Sequence, residues 1–146
     1  MKTLTLFAIF VAGILSCGSG GADSGNPARG FGEQSDLSRV QRSAQGGFEV
    51  SYTVVPDPIP LNDYFELLVS VLELEESSEE LLVEVDARMP AHNHGMNVLP
   101  SLTSIQRGQW TASGMLFHMP GHWEITVRMT RGSALDTAIF NVILDV

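Results

Sequence analysis

The chain has 146 residues, with 17 acidic against 8 basic side chains, four His, six Met and one Cys. A length of this order holds one domain and a tail, and a formal net charge of −9 disfavours a grip on nucleic acid or anionic headgroups, which need clustered Lys and Arg. One Cys makes neither an internal disulfide nor a four-thiolate zinc or iron–sulfur centre, and 44% apolar residues argue against wholesale disorder.

At the start of the chain, Lys2 precedes an apolar stretch from Leu4 to Leu15. A bilayer span needs about 20 apolar residues, so this stretch suits the core of an export signal better than a permanent span. It runs into Ile14-Leu15-Ser16-Cys17 and there resembles the lipobox of bacterial lipoproteins. That pattern has an aliphatic residue three before, and a small residue just before, a Cys that becomes the acylated N-terminus. The resemblance implies a signal over 1–16 and a lipid anchor at Cys17, in a membrane facing the periplasm. Gly18, where an Asp retains some lipoproteins at the inner membrane, inclines the reading to the outer membrane. The alternative is an ordinary secretory signal that leaves Cys17 a free thiol. Either way the only lysine departs with the signal, leaving seven Arg against 17 acids (8 − 1 = 7).

Residues 17–46 are rich in Gly and Ser, and no apolar face persists at period 2 or 3.6. Such a segment cannot bury enough surface to offset its ordering entropy, so it reads as a flexible tether, with at most a helical turn around Asp36–Ser43. From Gly47 the texture changes. Phe48, Val50, Tyr52 and Val54 alternate with polar residues, a half-buried strand stopped by Pro56-Asp57-Pro58. Further strands are expected at Tyr64–Leu74, Leu81–Arg88, Trp110–Phe117, His122–Thr130 and Asp136–Val146, with a short one near Val98–Ile105. Six or seven strands without a long amphipathic helix predict an all-β, immunoglobulin-like two-sheet sandwich over 47–146.

Between Leu72 and Asp86 lie seven acids and no Lys or Arg within the segment, which disfavours an exposed helix. The segment also lacks the Asp spacing and bend glycine of a calcium loop. It reads as a solvated hairpin tip.

All four His fall between residues 92 and 122. The first cluster is Met89-Pro90-Ala91-His92-Asn93-His94-Gly95-Met96 and the second is His118-Met119-Pro120-Gly121-His122. In extended backbone, residues i and i+2 point to one side about 6–7 Å apart, so His92 and His94 could share a metal ion. Pro120-Gly121 reads as a tight turn, with Met119 and His122 flanking it and His118 directed toward Trp123 and the core. Imidazole suits copper and zinc, and thioether sulfur favours Cu(I). The candidate ligands are therefore Met89, His92, His94, Met96, His118, Met119 and His122. Copper, as Cu(I) or Cu(II), comes ahead of zinc. A blue-copper centre needs a Cys thiolate, and Cys17 is committed to the anchor. Buried core methionines and a hydrogen-bonded core-edge His118 are the plainer alternative.

The run from Met89 to Met129 resembles the YtkA-like family, related to the FixH-like proteins of bacterial envelopes. The features that carry the resemblance are Met-Pro followed by His-x-His-Gly, Gly108 and Trp110 opening a strand, and Met-Pro-Gly running into Trp-Glu-x-x-Val. It implies an exported, often tethered sandwich linked to copper handling and oxidase assembly. In that family the marked positions fall on Met89, His92, His94, Met119 and His122. The function expected is a lipid-anchored envelope protein that stores, tolerates or delivers copper, with an envelope protein as recipient. A metal-free interaction module is the alternative. No nucleophile elbow, His-Glu-x-x-His or phosphate-cradling loop is present, so no enzyme is expected.

Overall fold

The computed structural model of the protein describes residues 38–145. The chain divides into two units, Met1–Gly32 and Glu33–Val146, and the described residues all belong to the second. The export signal, Cys17 and most of the expected tether lie outside them.

Among the described residues, nine strands form two antiparallel sheets. In chain order they are β1 (Val40–Arg42), β2 (Phe48–Val55), β3 (Tyr64–Glu73), β4 (Leu81–Met89), β5 (His94–Gly95), β6 (Ser101–Gln106), β7 (Gln109–Leu116), β8 (Gly121–Arg131) and β9 (Ala134–Leu144). One sheet has the order β1-β2-β3-β7-β6 and the other β5-β4-β8-β9. This is the expected all-β sandwich, and it fits an immunoglobulin-like arrangement.

Strict alternation builds it. Phe48, Val50, Tyr52 and Val54 of β2, Phe65, Leu67, Val69 and Val71 of β3, and Trp123, Ile125, Val127 and Met129 of β8 all point inward and are buried. Successive side chains of a strand point to opposite faces, so one inward residue commits the whole set. Aromatic pairs sit in this interior: Tyr52 meets Phe140 edge-on at 5.0 Å between ring centres, and Phe65 meets Phe117 likewise at 5.0 Å.

Two expectations at the chain's start need correction. No helical turn forms where the described chain overlaps Asp36–Ser43. Instead Val40–Arg42 pairs with β2, and Ser43 is buried. The reason is an unpaired sheet edge: β2 offers Ser51, Val50 and Glu49 to Val40, Gln41 and Arg42, and tertiary pairing outweighs a weak local preference. The ordered sandwich thus begins ahead of Gly47. Arg39 adds two hydrogen bonds to Asp57, at 2.7 and 2.8 Å.

Two connections also differ from expectation. The acidic segment after β3 joins one sheet to the other instead of tipping a hairpin, because β3 and β4 belong to different sheets. Likewise Phe117–Pro120 carries the chain from β7 across to β8. The strand directions then sort the loops to two poles. Loops 56–63, 90–100 and 117–120 share one pole; loops 43–47, 74–80, 107–108 and 132–133 share the other. The acids Glu75, Glu76, Glu79 and Glu80 therefore lie at the pole opposite the His-bearing loops.

Asp136, at the start of β9, fastens the first residues of the sandwich. Its carboxylate accepts hydrogen bonds from Ser43 Oγ at 2.6 Å, from the backbone N–H of Gln45 and Thr137 at 2.8 Å each, and from Gly47 N–H at 3.4 Å. Burial alone would raise its pKa, but these donors outweigh burial and hold it below the usual carboxylate value. A lowered folded-state pKa contributes stability that is present above the unfolded-state value and lost as pH falls through the folded one. Asp136→Ala is expected to cost about 3 kcal/mol at neutral pH, since several charge-assisted bonds vanish and the buried Ser43 hydroxyl loses its acceptor. Asp136→Asn should flatten the acid limb of stability. Urea unfolding from pH 7 down to pH 2 measures both.

Candidate metal centre

At the His pole the chain leaves β4 through a single 3-10 turn, Pro90–His92, and Asn93 takes the left-handed conformation with φ 51°. The backbone there is not extended, as the His-x-His spacing suggested. Pro90 presets the turn, Asn tolerates positive φ, and together they reverse the chain so that β5 lies back against β4. His92 and His94 meet all the same, with ring centres 5.8 Å apart.

Met89 of β4 sits directly opposite His94 of β5. Directly opposed residues of an antiparallel pair share a face, with Cβ atoms about 5 Å apart. Met89 is buried at 1% exposure, so His94 also faces inward, toward the end of the core. There its ring lies 5.2 Å from that of His118, which arrives on the 117–120 connection. Two loops, remote in sequence, thus place three imidazoles side by side: His92 exposed, His94 and His118 half-buried.

The spacing bears on chemistry. Imidazoles bound to one ion at about 2.0–2.1 Å hold their ring centres about 5.2 Å apart in a tetrahedral set and about 5.5 Å apart in a trigonal one. The observed 5.2 and 5.8 Å bracket those values. Nitrogen placement is less advanced: among the described residues no group of three or more His, Cys, Asp or Glu side chains has the geometry to hold a metal. Ring rotation, or a thioether completing the set, is required.

Hydrogen bonding at the rings favours the site. His94 Nδ1 lies 3.0 Å from Gly95 O. A carbonyl only accepts, so Nδ1 carries a proton, which leaves Nε2 as the nitrogen through which the ring would bind a metal. His118 Nδ1 is buried with no hydrogen-bond partner. Buried polar atoms are nearly always satisfied, and an ion shared with His94 would satisfy this one. Met96 and Met119 are half-buried and pack against the edge of the core at the same pole. No Asp, Glu, Lys or Arg occurs in 89–106 or 108–123, so loops 90–100 and 117–120 offer nitrogen and sulfur but no carboxylate.

His122 stands apart. It alternates with the inward Trp123 and so lies on the outer face of its sheet, where Nε2 is 2.7 Å from Asn141 Oδ1 on β9. The sheet separates it from the other three His, and Met119 does not share its direction as a two-residue hairpin would require. Gly121, at φ +116°, opens β8 with a Cβ position only 3.2 Å from Met89 Cε, so the glycine keeps room for the Met89 thioether. His122→Ala is accordingly expected to change copper affinity by no more than about twofold, because it shares no partner with the cluster. Competition with a chromogenic copper chelator checks this.

Two residues that matter here escape a reading by spacing. Asn141 meets His122 only through the β8–β9 register. Phe117 stacks flat on Trp123, centres 4.4 Å apart and planes 6° apart, a contact made by the crossing between sheets. Alternation along β8 was the available signal for the inward position of Trp123. In comparisons with family models, curated proteins and solved structures, nothing matches the chain.

Proposed function

We propose that the protein is an envelope protein of YtkA-like kind, anchored to a membrane by acylated Cys17, that binds copper for storage, tolerance or delivery to an envelope partner. The observation that carries the reading is the convergence of His92, His94 and His118 from two loops, with one buried nitrogen unpaired. Met96 and Met119 at the same pole add the soft donors that suit Cu(I), and the lack of carboxylates in these loops disfavours hard cations. His122 is not part of this ligand set.

The test is a copper titration of residues 17–146 carrying Cys17→Ser, which keeps β1 and the Asp136 clasp. One equivalent retained against a chelator, and lost on replacing the cluster histidines, supports the reading. Equal retention by the variants contradicts it. A second reading, a metal-free interaction module, is favoured by Leu99, 97% exposed on the loop after β5. A melting temperature indifferent to added copper would select it.

A further inference from the structure

We propose that Trp123 is the positioning residue of the site: its indole sets the spacing of the His94 and His118 rings and biases them toward Cu(I). The proposal rests on the copper-binding reading above.

Trp123 is fully buried, at 0% exposure. Phe117 is stacked against one face, and the indole Nε1–H donates to Met119 O at 2.9 Å. The ring is therefore held by a flat contact and by a directional bond that also fixes the loop bearing His118 and Met119. Against this fixed ring both imidazoles stand nearly perpendicular. His118 lies 5.6 Å away at 77° and His94 6.1 Å away at 74°. Neither histidine shares an element with the other, yet each is registered to the same indole, and their rings end 5.2 Å apart.

Chemical bias follows from what an indole denies. On the core side of the histidine pair stand the rings of Trp123 and Phe117, which offer a metal no oxygen ligand, and the indole N–H is already bonded to Met119 O. His92, the exposed member of the cluster, marks the side open to water and oxygen ligands. Cu(II) and zinc favour fuller coordination shells, whereas Cu(I) is well served by few soft ligands. A low-dielectric wall also disfavours the doubly charged ion more than the singly charged one.

The experiment uses the chain from residue 17 with Cys17→Ser. Trp110→Phe makes Trp123 the sole indole, since the protein has two Trp and Trp110 lies on β7 near the opposite pole. Cu(I) is expected to change Trp123 emission with an end point at one equivalent. Trp123→Leu is expected to lower Cu(I) affinity roughly 10–100-fold, as loss of a supporting group around a metal does, but Cu(II) affinity by less than about threefold. Trp123→Phe, which restores a flat ring, should recover most of the Cu(I) loss. Equal losses for both ions would mark a purely structural role and overturn the proposal, as would indole emission unmoved by Cu(I) that binds. If the unaltered chain retains neither ion, the copper reading fails and this proposal with it. If the chain binds copper and Trp123→Leu binds it unchanged, only this proposal fails.

Discussion

Replacing His94 and His118 together by alanine is expected to lower Cu(I) affinity by at least about 100-fold, more than loss of an outer-sphere partner alone. The two residues are the inward pair of the cluster. His94 has its lone pair assigned to Nε2 by the Gly95 carbonyl, and His118 holds the buried, unpartnered nitrogen. The exposed His92 has more freedom, so His92→Ala alone should cost less than either inward substitution. Folding should survive the double change, since neither histidine belongs to the buried core. It also removes a buried nitrogen that lacks a partner, and an orphaned polar atom costs stability. Metal-free His94→Ala/His118→Ala protein is therefore expected to unfold at a urea midpoint no lower than the unaltered chain. Chelator competition and urea unfolding on the same samples check the two halves of the prediction.

The largest stability effect is expected at Trp123. Trp123→Ala removes a fully buried ring, its stack on Phe117 and the bond to Met119 O. Large-to-small changes of this kind cost about 3–5 kcal/mol, a transfer loss plus a cavity that the neighbours fill only in part. The unfolding midpoint should fall with an unchanged denaturant slope if the native state stays compact. Loss of the Nε1–H bond should also free the 117–120 connection, because the bond from Asn62 N–H to Phe117 O, at 2.8 Å, holds only its start. Faster amide exchange of Met119 and Gly121 in Trp123→Phe, which keeps a ring without the donor, would report that loosening separately from global stability.

Much of the sandwich is legible in the residues, for a physical reason. The strands β2, β3, β8 and β9 are long, and each buries one face, so alternation of apolar residues is enforced over many positions. Short edge strands carry no such signal. β1 is three residues with none buried and β5 is two; both exist because a longer neighbour offers an unpaired edge. Connections were harder again. Glu75–Glu79 looks like a hairpin turn from its composition, and Pro120-Gly121 looks like one from its turn chemistry. Whether the next strand returns to the same sheet is decided by packing, which local composition does not encode.

The same limit governs the site. His92 and His94 are two apart in sequence, so their meeting is a local matter, though it comes through a 3-10 turn and a left-handed Asn93 instead of an extended run. His118 and His122 are four apart and both stand among the candidate ligands, with His118 the one directed toward Trp123. The crossing from β7 to β8 separates them, leaving His118 on the connection beside Trp123 and His122 on the outer face of β8 beside Asn141. Met89 reads as a ligand from its neighbours in sequence and is packed at the end of the core in space. The pole itself, whose two His-bearing loops carry no charged residue while Glu75, Glu76, Glu79 and Glu80 lie at the other end, emerges from strand direction and the two crossings between sheets.

X-ray absorption of the Cu(I)-loaded chain from residue 17, with Cys17→Ser, tests the central claim most directly. The account predicts one copper per chain, with a first shell of imidazole nitrogen completed by thioether sulfur and the outer-shell scattering of two or three imidazoles, lost in His94→Ala/His118→Ala. Failure to retain copper, or a shell of oxygen atoms unaltered by that double substitution, would contradict it.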